Sequence, residues 1–347
     1  MLFVFVARQI EEPATMIDRR ILISGLASSS ASAAFPARAS TKKKFHVYMV
    51  LYRGWEEACS GFRDYLVSHD LDIHFTVRDI KQDLANIPST IVDVRAQKPD
   101  LLFVWGTSTA IAMLGPWDSP DPTRYITEIP SVFCIVTDPV GNRIVKSKSD
   151  TGRLATGVEY IAPLETQLQA MRFYRPFHSV AVVHNPKEEN SVSVVRDLSR
   201  LSTELNYITH ILPLDVNANP SDSYGIAKKI GEAKEAGVDW LYIPPDTLLN
   251  ENRHEFTSAA NALNIPTFSA TERFVRFSDG LAGLVSRYSS VGAFAGYKAQ
   301  QILTGMKIVT DIPVEGLTRF SYLIKLDTAH NLQCYPPIKL LKMAEVI

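Results

Sequence analysis

The chain has 347 residues, 46% of them hydrophobic and 21% charged, with 36 basic and 37 acidic side chains and a formal net charge of −1. That length suits two domains rather than one small core, and the composition is that of a soluble globular protein. The charge balance excludes the basic excess that a nucleic-acid surface needs.

The first forty residues read as a leader rather than as fold. Asp18-Arg19-Arg20 precedes the apolar Ile21-Leu22-Ile23, Gly25–Phe35 is small and weakly apolar, and Ala37-Arg38-Ala39 has the small-x-small form of a cleavage site. Residues 1–39 are therefore expected to be an export signal, of twin-arginine type by its arginine pair, cleaved after Ala39 to leave Ser40 first. Met16 is a credible alternative start. A spanning helix needs about 20 strongly apolar residues, and this run is short and serine-rich. The mature protein is expected in the periplasm.

Phe45–Leu51 reads as the first strand, and Trp55, Cys59, Phe62 and Leu66 recur at i, i+4, i+7 and i+11 on one helical face. Asp72–Val77 is a second strand, followed by a helix marked by Ile87, Ile91 and Val94. Leu101–Trp105 is apolar throughout, as expected of a parallel strand buried on both faces. Gly106 permits a sharp turn after it, and Thr107 or Ser108 can cap the helix that begins near Ala110. Gly115–Arg124 carries three prolines and is a loop; Ile129–Val136 and Leu154–Tyr160 are strands.

The order then repeats. Helical stripes at Leu164, Leu168, Met171, at Val194, Leu198, Leu201, Leu205, at Ile226, Ile230, Ala233 and at Phe256, Ala260, Leu263 alternate with strands at Ser179–His184, Tyr207–Leu212, Asp239–Ile243, Ile265–Ser269 and Leu281–Val285. The last sixty residues add a stripe at Ala295, Ala299, Ile302, a strand at Phe320–Leu326 and a helix at Ile338–Ala344. Strands alternating with helices require right-handed parallel crossovers, so the fold class is α/β, two doubly wound parallel-sheet lobes around a central cleft. The expected division is 40–160 plus about 286–316 for the first lobe and 161–285 plus about 317–347 for the second.

Polar and aromatic groups gather just after the strands, where open α/β folds bind ligands. They are Tyr52, Arg53, Thr107, Ser108 and Asp138 in the first half, and Asn185, Asn190, Ser191, Asp246 and Glu272 in the second. Each has a plainer alternative: Asp138-Pro139 and Asp246 end strands, Asn190-Ser191 is a helix cap, and Gly106-Thr107-Ser108 is an ordinary strand-to-helix turn. Trp55 reads as core rather than cleft, which leaves Tyr52 as the stacking candidate.

Catalytic patterns are weak. The eight histidines include no His-x-His and no HExxH, so no metal site is expected. There is no phosphate-binding loop, and no cofactor is implied. The three cysteines have neither CxxC nor zinc spacing; Cys134 reads as core, and a Cys59–Cys334 bridge is left open. Gly106-Thr107-Ser108-Thr109-Ala110 is a degenerate nucleophile elbow. A serine hydrolase would use Ser108 with Asp246 and with His254 or His330, but the final glycine and an oxyanion segment are missing.

Nine stretches in register make the sequence similar to a known family, the ABC-transporter substrate-binding proteins of TrpX-like type on the type I periplasmic-binding fold. They are Gly61-Phe62-Arg63-Asp64-Tyr65-Leu66, Pro99-Asp100-Leu101 with Gly106-Thr107, Ile129-Pro130-Ser131-Val132-Phe133 with Val136-Thr137-Asp138-Pro139-Val140, Thr156-Gly157-Val158, Asn185-Pro186 with Glu189-Asn190-Ser191, Pro245-Asp246, Ile265-Pro266-Thr267-Phe268, Ile302-Leu303-Thr304-Gly305 and Ile312-Pro313-Val314. The resemblance covers nearly all of 45–347. It departs at Tyr52-Arg53-Gly54-Trp55-Glu56, where the family commonly has a His-Pro-x-Leu-Asp type segment, and at Arg287-Tyr288, where many relatives have Asp-Tyr.

The resemblance implies a monomeric, non-enzymatic solute-binding protein. It would close by hinge motion on an amino-acid-like or aromatic carboxylate ligand and deliver it to an ABC permease in the inner membrane. Thr107 and Ser108 would hold a carboxylate. Asp138, Asp246 or Glu272 would answer a positive or hydroxyl group, Tyr52 or Tyr288 would stack, and an arginine in the cleft would favour an anionic ligand. The rival binding role is the sensor half of a regulator, which would carry a helix-turn-helix where this chain has its leader.

Overall fold

The computed structural model describes residues 43–216 and 224–347, so the expected leader lies outside the described residues. The chain runs β1 (Lys44–Leu51), α1 (Glu57–Ser68), β2 (Asp72–Asp79), α2 (Ile87–Gln97), β3 (Leu101–Trp105), α3 (Thr107–Leu114), β4 (Ser131–Val136) and β5 (Ala155–Glu159). It continues through α4 (Leu164–Tyr174), β6 (Ser179–His184), α5 (Glu189–Leu205), β7 (Ile208–Pro213), α6 (Ile226–Glu235), β8 (Trp240–Ile243), α7 (Thr247–Glu251), α8 (Arg253–Ala262), β9 (Thr267–Ser269), α9 (Arg273–Arg276) and β10 (Ala282–Val285). The tail is α10 (Tyr288–Leu303), β11 (Glu315–Gly316), β12 (Ser321–Ile324), α11 (Leu326–Asn331), α12 (Ile338–Leu341) and β13 (Glu345–Val346).

These strands build two sheets, β11-β5-β4-β3-β1-β2 and β13-β12-β10-β9-β8-β6-β7, parallel throughout except where β12 pairs antiparallel with β10. Continuous apolarity in β1 and β3 is explained by burial on both faces. Val47, Met49, Leu101 and Phe103 face α1 and α10, while Tyr48, Val50, Leu102 and Val104 face α2 and α3. In the second sheet Val180, Val182 and Trp240 pack towards α4 and α5, and Ala181, Val183 and Leu241 towards α6 and α8. The edge strands β2 and β7 alternate or stay exposed, as one covered face requires.

Both sheets repeat one topology. Strands 2-1-3-4-5 of the first half and 7-6-8-9-10 of the second have the same order, so strand order reverses beside β1 and β3 in one lobe and beside β6 and β8 in the other. The chain passes between the sheets three times, at 160–163, 286–287 and 317–320. Helix α10 belongs to the first lobe although it follows β10. It packs on α1 so closely that a Cβ on Gly292 would stand 1.9 Å from the carbonyl oxygen of Ala58, and one on Gly61 would stand 2.0 Å from that of Ser289.

Several local expectations change. Helix α1 begins at Glu57, so Trp55 lies outside its apolar face. It is 42% exposed, with its indole N–H donated to Ser60 Oγ at 2.8 Å, and it is not a core residue. Cys59 and Cys334 are free thiols in the cores of different sheets, and Cys134 is buried. Helices α7, α9 and α11 are too short to leave a hydrophobic period in the sequence, and the helix expected over 338–344 stops at Leu341 before β13.

Candidate functional site

A cleft between the sheets encloses about 470 Å³ of space not occupied by atoms, part of it open to solvent. Tyr52 and Arg53 follow β1; Trp105 ends β3, and Gly106, Thr107 and Ser108 follow it. Opposite stand Glu188 and Asn190 after β6, and Asp246, Thr247 and Asn250 after β8. The four main walls thus come from the two switch points, where diverging loops leave a crevice at the carboxyl ends of the strands. Ile135, Tyr160, Pro245, Thr271 and Tyr288 complete the lining.

The first-lobe wall offers hydrogen-bond donors. Gly106, at φ 94°, makes the turn into α3, and a side chain there would have Tyr52 Cβ at 3.6 Å. No side chain caps α3: the Thr107 hydroxyl instead accepts the backbone N–H of Thr137 at 3.0 Å, tying β4 to the turn. The first N–H groups of α3 have no partner within the helix, and Ser108 lies beside them on the cleft. Trp105 Nε1 is buried and without a hydrogen-bond partner, and an unmade bond of that kind is costly unless a ligand completes it. The Arg53 guanidinium lies over the Trp105 ring at 5.2 Å and pairs with Glu56 at 3.0 Å.

The second-lobe wall is acidic. Glu188 is 7% exposed and accepts the N–H groups of Thr247 at 2.9 Å and Leu248 at 3.2 Å, with the Asn190 amide at 3.1 Å. Asp246 is 5% exposed and accepts from Leu249 N at 2.9 Å, from Asn185 N at 2.7 Å and from the Ser191 hydroxyl at 2.7 Å. Burial and the adjacent Glu188 charge raise the Asp246 pKa against the pull of those donors. Among the described residues no lysine or arginine forms an ion pair with either acid. Tyr52 reaches across towards them: its phenol pKa is raised by burial and then by the charge of Glu188.

Seven of the residues named from sequence line this cleft: Tyr52, Arg53, Thr107, Ser108, Asn190, Asp246 and Tyr288. The other four do not. Asn185 and Ser191 stand behind Asp246 as its donors. Glu272 accepts the backbone N–H of Tyr288 at 2.9 Å and pairs with Arg276, which closes the start of α10. Asp138 reaches Arg196 of α5 at 2.5 Å, bridging the lobes beside the cleft. Arg287 pairs with Glu345, so the arginine that lines the cleft is Arg53. Asn190 and Ser191 cap no helix of their own: both donate to Pro245 O, while Asp246 caps α7. Trp105 and Tyr160 were not singled out from sequence, although each stands at or just after a strand end.

No histidine lines the cleft: His254 lies in α8 and His330 in α11, so Ser108 has no base beside it. No group of three metal-ligating side chains occurs among the described residues. No helix of the described residues is long and apolar enough to cross a membrane.

Comparison with known proteins gives a consistent family. A family model described as ABC transporter substrate binding protein matches residues 48–347. A tyrosine-binding protein of Clostridioides difficile is 26% identical over 258 residues, covering 74% of this chain and 70% of the relative. Among solved structures, a conserved domain protein of Vibrio cholerae superposes with a TM-score of 0.75 at 22% identity, over 88% of this chain and 99% of that one. An ABC domain in complex with L-Trp from Streptococcus pneumonia gives a TM-score of 0.73 at 19% identity, over 87% and 100%. The family binds solutes without chemistry, which removes the nucleophile-elbow reading of Ser108. The chain belongs to the ABC transporter substrate-binding proteins.

Proposed function

We propose that this protein is the extracytoplasmic receptor of an ABC importer and that its ligand is a zwitterion of the amino-acid class. The observation that carries the ligand class is the division of charge across one cleft. Glu188 and Asp246 present two buried carboxylates that no lysine or arginine of the described residues pairs with. The open start of α3 and the Ser108 hydroxyl present donors on the facing wall, beside Trp105, whose buried N–H has no partner. An ammonium suits the first wall and a carboxylate the second. Tyr52, Tyr160 and Tyr288 supply flat surfaces for a side chain between them, Tyr160 and Tyr288 standing edge to face at 5.8 Å. The relatives named for tyrosine and co-crystallised with L-Trp support the class.

Export of the protein rests on the Arg19-Arg20 pair and the Ala37-Arg38-Ala39 segment. Delivery would be to a membrane permease, with the protein acting as a monomer. The lobes touch across the cleft mouth through Gln82 and Glu251 at 2.7 Å, Asn142 and Ser193 at 3.2 Å, and Asp138 and Arg196. These contacts suit closure around a captured solute. A thermal-shift screen of L-amino acids tests the reading: a true ligand at 100 times its dissociation constant adds about 2.7 kcal/mol of stability. An Asp246→Asn variant that binds the identified ligand with full affinity would remove the ammonium assignment.

A further inference from the structure

Ile135 holds a φ of 57°, a region that β-branched residues rarely enter. The cause is a β-bulge near the end of β4. Phe133 pairs with Gly157 and Val136 with Glu159, so Cys134 and Ile135 together oppose the single residue Val158. In a regular strand successive side chains alternate between faces, and Ile135 would point away from Cys134. The bulge puts both on the face shared with α1 and α10 and returns Val136 to the other face. Ile135 thereby joins Trp105, Tyr160 and Tyr288 on the cleft lining, 4% exposed.

We propose that Ile135 is the specificity-determining residue of this cleft, a wedge that limits the size of the ligand side chain seated among Trp105, Tyr160 and Tyr288. The inference rests on the reading of an amino-acid-like ligand and adds what selects among such ligands. A strained backbone that aims one branched aliphatic group at an aromatic cage fixes the depth of that cage more rigidly than a mobile side chain can. Shortening Ile135 deepens the cage, and the added room benefits bulky side chains alone.

The experiment is calorimetric titration of the whole protein with L-alanine, L-leucine, L-tyrosine and L-tryptophan, for wild type, Ile135→Val, Ile135→Ala and the control Ile144→Val, a buried site away from the cleft lining. The expected result is a shift of about tenfold in the tryptophan-to-leucine affinity ratio towards tryptophan in Ile135→Ala, with a smaller shift of the same sign in Ile135→Val and none in the control. If Ile135→Ala does not melt cooperatively, Ile135→Val, which keeps the branched shape, decides. Ratios within about twofold of wild type in a folded variant would overturn the inference while leaving the function intact. Failure of wild type to bind any member of the series would remove the amino-acid reading and the wedge with it.

Discussion

Glu188 and Asp246 share the start of one short helix: the backbone N–H groups of Thr247 and Leu248 turn to Glu188, and that of Leu249 turns to Asp246. Two carboxylates from separate loops are thus held side by side on the cleft by three consecutive backbone N–H groups. Helix N-termini favour negative charge, yet the second acid here sits in a buried site already occupied by the first.

This pair gives the ligand-free protein a pH dependence of defined sign. Asp246 has a raised pKa in the folded state, through burial and the charge of Glu188. The folded state therefore holds more protons than the unfolded state between the unfolded value, about 4, and the raised one. Its favourable contribution is complete below the unfolded value and is lost as pH rises through the folded value. Melting temperature measured against pH without ligand should fall over that window, and Asp246→Asn should flatten the curve. An unchanged slope in the variant would exclude Asp246 as its source.

Ligand binding should run the opposite way. An ammonium interacts with the ionised form of Asp246, so affinity weakens as pH falls and a proton returns to that carboxylate. Titration in buffers of different ionisation heat should show proton release on binding near neutral pH, absent in Asp246→Asn.

The unpartnered indole N–H of Trp105 predicts a loss confined to binding. Trp105→Phe removes the donor and keeps a ring for the Arg53 guanidinium to cover. Affinity should fall about tenfold, in line with one lost hydrogen bond of about 1–1.5 kcal/mol. Equal affinity in a cooperatively melting variant would mean that the ligand leaves this group untouched.

The contacts across the cleft mouth should act on release. Arg196 and Asp138 form a partly exposed pair, and such pairs contribute about 1 kcal/mol or less. Arg196→Ala should raise the dissociation rate by no more than about fivefold and leave association nearly unchanged. A loss of binding far beyond that would make Arg196 a ligand contact.

The packing of α1 on α10 makes a stability prediction. The Cβ introduced by Gly292→Ala meets backbone rather than a movable side chain, 1.9 Å from Ala58 O. Forcing the helices apart should cost at least about 1–3 kcal/mol, visible as a lower denaturation midpoint.

Much of the fold was legible because buried parallel strands announce themselves. Leu101–Trp105 and Ser179–His184 are apolar without alternation, and Gly106 and Asn185 mark their ends. The cleft was legible in part for the same reason, since its lining follows strand ends. Sequence could not show that Asp138 turns to Arg196, because an ion pair between distant segments leaves no local pattern, whereas Glu272 and Arg276 stand at the i, i+4 spacing of a local pair. Trp55 misled because a period of four continues into residues before a helix begins. Ile135 was hidden most deeply. A bulge adds one residue without altering composition, and it shows only as a slip of register against β5.

The three crossings between the sheets have a mechanical consequence. Their flanking strands are neighbours in each sheet, β5 beside β11 and β10 beside β12, so under the proposed closure three adjacent tethers would resist twisting and leave jaw-like rotation as the soft motion. Tyr160 and Tyr288 sit on or beside two of those tethers, which puts the seat of the solute close to the pivot. Under the proposed transport role, small differences in the thickness of what is seated there would be multiplied by lever arm at the far rim, and a membrane partner touching only the rim would still sense what lies at the bottom.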